Sequence, residues 1–407
     1  MALPFIQWKE ERFVIEPAAV DYLCSMRGHV AVFFLCGAFR TGRSYLLNAL
    51  AGLAKHEHAF PVSNTLDRCT KGIWLVVPFK VGATNYVFLD CEGFNSSGKG
   101  PLLDAPLCCL GLLLSSMFGI QSVSTIGESD MEMLRLVVKC ARLIKIANQD
   151  PSAIAHSQSL LWIVRDFSLA LVTQETQAIT ATQYLEAALL SGGGNDPDAR
   201  KHSIRQALCA AFPERECVTL ARPLTEEKDL QNLTTLAWSE LRPVFRANVE
   251  VLRRHLMAHM KPKHLFGTAV TGPAFVRLAQ AYVEVVNKGA VPSVRQAWDI
   301  ITRESGQEAV AAAKRSFTHQ LLKFKISDED ELWRHLEQAA SSSVSFLLFL
   351  LVSLRLLFPL TVASGARVCS RKCGCFDRAV AKGVEGRGGC ICGEASVEID
   401  GGSTRGD

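Results

Sequence analysis

The stretch Gly37-Ala38-Phe39-Arg40-Thr41-Gly42-Arg43-Ser44 has the residue types and spacing of a loop that holds phosphate. Its two glycines let backbone N–H groups turn inward around phosphate oxygens. A helix starting at its end would add a partial positive charge there, and the Ser44 hydroxyl stands where Mg²⁺ is held. Arg43 occupies the place that such loops usually give to Lys. A planar, forked guanidinium is not equivalent to a compact ammonium in a tight cradle. On its own the stretch also fits a glycine turn before a helix that binds no nucleotide.

Two further places carry chemistry. Asp90-Cys91-Glu92-Gly93 follows an apolar run. An acid ending a core strand can hold a metal shell, and the glycine lets a backbone N–H approach a γ-phosphate, although Asp-x-x-Gly by itself is commonly a plain turn. Arg165-Asp166 ends another apolar run, at the ligand-bearing rim of an open α/β sheet. Asp166 there could accept two N–H donors of a guanine edge, or serve as a strand-end ion pair or helix cap.

The elements that must position these residues read as strands alternating with helices up to about residue 225. That pattern gives an α/β fold whose mostly parallel sheet is flanked by helices on both faces. Strands are expected over Val30–Cys36, Ile73–Pro78, Asn85–Asp90, Ser159–Val164 and Cys217–Leu220, with an edge strand at Phe13–Ile15. Helices are expected over Pro17–Cys24, Tyr45–Ala51 with a Gly52 cap, Ala105–Phe118, Met131–Asn148 and Ser203–Phe212. Residues 94–104 read as a Gly/Ser/Lys-rich mobile loop. From Pro273 the chain becomes all-helical: one helix stops at Lys288-Gly289, Ser293 caps a second, a third covers Glu308 to Phe324, and a fourth starts near Ser327.

A length of 407 residues allows two or three domains, and 48% hydrophobic against 21% charged residues marks a globular chain. A net charge of +4, with no basic stripe interleaved with aromatics, argues against nucleic acid as partner. The start, Met1 to Trp8, lacks the pattern of a signal peptide. Of the 14 cysteines, Cys36, Cys108, Cys109 and Cys209 lie in apolar runs and read as reduced, buried thiols of a cytoplasmic protein.

Assembled, these motifs resemble the guanylate-binding proteins, large interferon-inducible GTPases of the dynamin superfamily. The resemblance rests on residues 37–48, Thr70-Lys71-Gly72-Ile73-Trp74, Asp90-Cys91-Glu92-Gly93, Leu113-Leu114-Ser115-Ser116, Arg165-Asp166-Phe167-Ser168-Leu169, Arg222-Pro223 and Gly272-Pro273. It implies a P-loop GTPase domain over residues 1–262 and the start of a helical middle domain over 263–340. It implies GTP hydrolysed to GDP, in some members to GMP, with Mg²⁺, and pairing of the G domain with itself or with related guanylate-binding proteins. A role in innate immune defence follows from the resemblance alone. Gly37, Ala38, Phe39, Arg40, Thr41, Gly42, Arg43, Ser44 and Tyr45 would bind the nucleotide. Val62, Ser63, Asn64, Asp90, Cys91, Glu92, Gly93 and Phe94 would join them, with Arg165 and Asp166 at the base. Ser44, Thr70 and Asp90 would hold the metal. Arg40 would be an arginine finger supplied in cis, with Thr70 and Glu92 completing the catalytic set.

The chain departs from the family pattern at several positions. Arg43 replaces the loop Lys, Arg68 a serine that positions water, and Cys69 and Cys91 more polar neighbours. Leu220-Ala221-Arg222-Pro223 stands for Phe-Asp-Arg-Pro. These departures support an alternative: a catalytically impaired pseudo-GTPase acting as a heterodimerising module. Residues 341–407 leave the family pattern altogether. Residues 341–362 are apolar but interrupted by Arg355 and Pro359, against the roughly 20 uninterrupted apolar residues of a spanning helix. Membrane or vesicle association through this segment is a third reading. Cys369, Cys373, Cys375, Cys390 and Cys392 do not match standard zinc spacings. The sequence ends Arg405-Gly406-Asp407, without a prenylation motif. The tail reads as loosely folded.

Overall fold

A computed structural model of the chain describes residues 1–322 except 39, 54–58, 63–71, 92–99, 148–158, 173–175, 191–198, 231 and 234. Among the described residues the strands β1 (Leu3–Lys9), β2 (Arg12–Ile15), β3 (His29–Gly37), β4 (Ile73–Val81), β5 (Thr84–Cys91), β6 (Met117–Val123), β7 (Ser159–Arg165) and β8 (Arg215–Thr219) form an 8-stranded sheet. The spatial order is β2-β1-β4-β5-β3-β6-β7-β8. β3 is parallel to β5 on one side and β6 on the other, and β6, β7 and β8 continue in parallel. β1, β2 and β4 complete the other flank as antiparallel partners. Among the described residues the helices longer than one turn are α1 (Pro17–Ser25), α2 (Arg43–Ala51), α3 (Gly100–Leu114), α4 (Glu128–Ala147), α5 (Ala181–Leu190), α6 (Ala199–Ala211), α7 (Pro243–His259), α8 (Gly272–Asn287) and α9 (Val294–Leu322). The mostly parallel sheet between helices, followed by a helical part, is the fold class that the sequence implied.

The two-residue period of a strand builds both cores. Along β3, Val30, Val32, Phe34 and Cys36 face one way, into a cluster shared with α3, α4 and α8. Ala31, Phe33 and Leu35 face the other way, into a cluster with α2 and α7. All seven are fully buried, which is why the strand shows no polar alternation. A strand packed on both faces cannot shift register without disturbing both cores. The loop leaving its end is therefore anchored to the stiffest part of the sheet.

Several elements differ from expectation. The lead-in holds a full hairpin: β1 pairs with β2 around Glu10-Glu11, both at positive φ (47° and 60°). The apolar run expected as one helix to Phe118 divides into α3 and β6. Gly119 marks the strand, since a Cβ there would come within 2.7 Å of the Phe33 ring. Residues 100–104, expected in a loop, open α3. The helices expected on either side of residues 302–307 are one helix, α9, which runs through Gly306; an isolated helical glycine costs only about 1 kcal/mol. Cys36, Cys108 and Cys109 are buried free thiols, whereas Cys209 is half-buried. The expected helix near Ser327 and the whole of 341–407 lie outside the described residues.

Helix α8 reaches back to the first hairpin. The Asn287 side chain accepts from the Phe13 N–H at 2.7 Å and donates to the Phe13 carbonyl at 2.9 Å. The N-terminus of α8 is capped by Thr271, whose side chain accepts from Ala274 N–H.

Candidate functional site

The glycine loop joins the end of β3 to α2, at the strand where the chain order in the sheet reverses, which is where open α/β sheets bind ligands. Gly37 ends the strand, Ala38 and Arg40 are exposed, and Arg40 holds a left-handed backbone at φ 65°. The Thr41 hydroxyl donates to the Ala38 carbonyl at 3.0 Å, drawing the loop closed. Gly42 sits at φ 73° in the N-cap position of α2, and no side chain caps this helix end. The first-turn N–H groups and the positive end of the helix dipole therefore face the loop.

Two predicted metal ligands meet beside it. The parallel register sets Asp90 opposite Leu35, and the Ser44 hydroxyl donates to Asp90 Oδ2 at 2.6 Å. Asp90 is fully buried. A hydroxyl and a carboxylate in contact at a helix N-terminus are hard oxygen donors of the kind Mg²⁺ takes together with substrate phosphates, so this donor set fits the ion.

Arg43 is placed differently from a phosphate-reaching Lys. It is buried, with Nη1 donating to the Gly37 carbonyl at 2.6 Å and Nη2 to the Cys91 carbonyl at 3.3 Å. The guanidinium thus ties the ends of β3 and β5 together beneath the loop. Cys91 is buried, its thiol donating to the Leu35 carbonyl at 3.6 Å. Burial raises the Cys36 pKa, with Cys91 adding to the shift and Arg43 opposing it.

Arg165 also lies under the loop. Its Nη1 donates to the Thr41 carbonyl at 2.6 Å, and its Nη2 contacts Asp166 Oδ1 at 3.3 Å. Burial lowers the Arg165 pKa and the Asp166 carboxylate counters that shift. Asp166 follows at φ 55°, turning its partly exposed carboxylate off the end of β7. Tyr45 is buried behind the loop, and burial pushes its hydroxyl pKa up to about 12. Val62 is exposed. Phe39, Ser63, Asn64, Arg68, Cys69, Thr70, Glu92, Gly93 and Phe94 lie outside the described residues.

Three residues that the sequence did not single out complete the surroundings. Gln121 on β6 donates through Nε2 to the same Thr41 carbonyl at 2.7 Å. Asn48 on α2 bonds both ways to the Phe60 backbone, at 2.9 and 2.8 Å, and so fixes the chain entering the segment from Pro61. Arg253 on α7 donates to the Leu50 and Ala49 carbonyls at the far end of α2, both at 2.9 Å. Only Gln121 left a trace in the sequence, as a polar residue within an apolar run. The expected helix stopped at Phe118, and residues 119–123 carried no expectation, so the trace pointed nowhere.

The glycine loop between a core strand and an open helix end, with Ser44 on a strand-end aspartate, defines the class as a P-loop nucleotide-binding fold. Comparison with known proteins narrows this. A family model described as guanylate-binding protein, N-terminal domain, matches residues 10–265, and one described as guanylate-binding protein, C-terminal domain, matches residues 267–346. Human guanylate-binding protein 6 is 32% identical over 329 residues, which covers 78% of this chain and 51% of that protein. Mouse guanylate-binding protein 6 is 32% identical over 325 residues (76% and 52%), and human guanylate-binding protein 4 is 30% identical over 329 residues (78% and 51%). The chain belongs to the guanylate-binding protein family, and it spans about half the length of the curated relatives it matches.

Proposed function

We propose that the chain binds GTP with Mg²⁺ and hydrolyses it to GDP, and further to GMP if it follows the members that do so. The observation that carries this reading is the Ser44 to Asp90 contact of 2.6 Å beside the uncapped N-terminus of α2. Ser44 and Asp90 would hold the ion, with Thr70 completing its protein ligands; when bound, it neutralises charge on the β- and γ-phosphates. The N–H groups from Gly37 to Tyr45 bind phosphate oxygens. Asp166 reads the guanine edge from its left-handed position. Arg40, exposed at the loop tip, is the cis arginine finger, and Glu92 orders water at the γ-phosphate. Pairing with a second copy or a related protein uses the G-domain face, where Leu169 and Val172 expose apolar surface. The G domain covers residues 1–262 and the helical region 263–340. By family kinship the biological setting is innate defence in the cytoplasm. Among the described residues no helix is long and apolar enough to cross a membrane.

One observation favours a second reading, a slow or inactive partner that heterodimerises with relatives. Arg43 is committed to the Gly37 and Cys91 carbonyls, so its charge is directed away from where Lys would meet the β- and γ-phosphates. The test is Mg²⁺-dependent binding and turnover of GTP by the full chain beside Arg43→Lys. We expect both to bind, with the Lys variant turning over at least about tenfold faster and melting a few degrees lower for loss of the two carbonyl bonds. Equal, fast turnover would remove the second reading. Absence of binding in both would remove the first.

A further inference from the structure

The carbonyl of Thr41 accepts from two side chains that approach from beneath the loop, Gln121 Nε2 at 2.7 Å and Arg165 Nη1 at 2.6 Å. The donors come from neighbouring strands, β6 and β7, so the sheet itself fixes their separation. Gln121 is fully buried. The underside has no spare room: a Cβ on Gly42 would stand 2.0 Å from Arg165 Nη1. In a trans peptide the C=O and the following N–H point in opposite directions. Pulling the Thr41 carbonyl down onto β6 and β7 therefore turns the Gly42 N–H the other way, towards the open side of the loop.

We infer that Gln121 is a positioning residue for the nucleotide phosphates, acting with Arg165 through the Thr41 carbonyl to aim the Gly42 N–H into the cradle. The inference deepens the nucleotide-binding reading and rests on it. It gives Arg165 a task on the phosphate side of the site and leaves the reading of guanine to Asp166. It also explains a polar residue that is costly to bury. Among the described residues Gln121 Oε1 is buried with no hydrogen-bond partner, a penalty that an apolar residue would avoid. The retained amide serves as a donor.

The experiment compares the full chain with Gln121→Leu and Gln121→Glu, using Mg²⁺ with GDP and with IDP, which lacks the 2-amino group. Gln121→Leu should weaken both nucleotides by about 10- to 100-fold while leaving the GDP-to-IDP ratio and the melting temperature near wild type. The Glu variant supplies a donor only when its carboxyl is protonated; burial favours that form, and the Arg165 guanidinium on the same carbonyl opposes it. Its affinity should recover towards wild type from pH 8 to pH 6, while the Leu variant shows no such recovery. Hydrogen exchange of the peptide spanning residues 41–45, measured without nucleotide, should quicken in Gln121→Leu. Unchanged affinity with unchanged exchange overturns the inference, and so does a loss of affinity that merely follows the melting temperature. If the wild-type chain binds no GDP, the nucleotide reading fails, and the exchange measurement still decides whether Gln121 sets the loop.

Discussion

The two ends of helix α2 are treated in opposite ways. At its C-terminus the orphan carbonyls are taken up. Gly52, at φ 74°, turns its N–H to the Ala49 carbonyl at 3.1 Å, Leu53 N–H bonds the Asn48 carbonyl at 2.7 Å, and Arg253 holds the carbonyls of Ala49 and Leu50. At its N-terminus Gly42 offers no side-chain cap. The protein can cap helices, as Thr271 does for α8. Free donors and free acceptors both carry a cost when unsatisfied, and the end left without a side-chain cap is the one that the proposed nucleotide would fill. Below the open end the donors are present but aimed elsewhere, at the carbonyls of Gly37, Thr41 and Cys91. They shape the loop and leave its N–H groups available.

The strongest way to break this comparison is Gly42→Ala. The added Cβ meets Arg165 Nη1 at 2.0 Å, at a backbone φ of 73°. We expect GTP affinity, measured by calorimetry, to fall by at least about 100-fold as Arg165 is displaced from Thr41. A change under threefold would mean that the open end is not where the nucleotide binds. Next is Arg253→Ala at the closed end. Losing two charge-assisted bonds should cost about 2 kcal/mol in denaturant unfolding, discounted for partial exposure. GTP affinity should stay within about threefold; an equal loss of affinity would show that the two ends act as one unit.

Lys263 sharpens the comparison through pH. It is buried, its Nζ donates to the Ser115 carbonyl at 3.0 Å, and burial lowers its pKa from 10.5 to about 8. A buried base that gives up its proton more readily when folded penalises the folded state below pH 8. The penalty fades as pH rises towards 10.5. Stability of the wild type should therefore climb from pH 8 to pH 9.5 relative to Lys263→Met, which lacks this slope. At pH 7 the variant should be more stable by about 1 kcal/mol, after allowing for the lost bond to the Ser115 carbonyl. Parallel pH profiles would mean that the lysine is not buried in its charged form.

The smallest effect should come from the hairpin turn. Replacing Glu10-Glu11 by Glu10→Asn with Glu11→Gly supplies residues that accept positive φ, for a gain of about 1 kcal/mol or less. Nucleotide affinity should not move, since this turn lies away from both ends of α2.

The sequence showed most clearly what is periodic or punctuated. β3, β5 and β7 stood out as apolar runs, and α2 stood out through its flanking glycines. β1 and β6 did not, because their identity as strands comes from pairing with β4, and with β3 and β7. Losing β6 also lost Gln121. Ser44 and Asp90 were each legible as oxygen donors from their types and places in the pattern, and the contact between them is supplied by the sheet register. Where Arg43 and Arg165 send their guanidinium groups depends on which carbonyls the sheet brings beneath the loop, and no local pattern encodes that. Asn48 and Arg253 were silent for the same reason, since each acts on backbone distant in the chain or across a loop.

The bond pair between Asn287 and Phe13 has a consequence for solubility. β2 is the outermost strand on its side of the sheet, and an exposed strand edge is a template on which another chain can add. By taking up both the N–H and the carbonyl of Phe13, a side chain from α8 occupies one rung of that edge as a neighbouring strand would. Helix α8 thereby covers part of the edge on which another strand could add. A fragment cut before α8 would keep the glycine loop yet expose Phe13, and it should aggregate at concentrations where the longer chain stays dispersed.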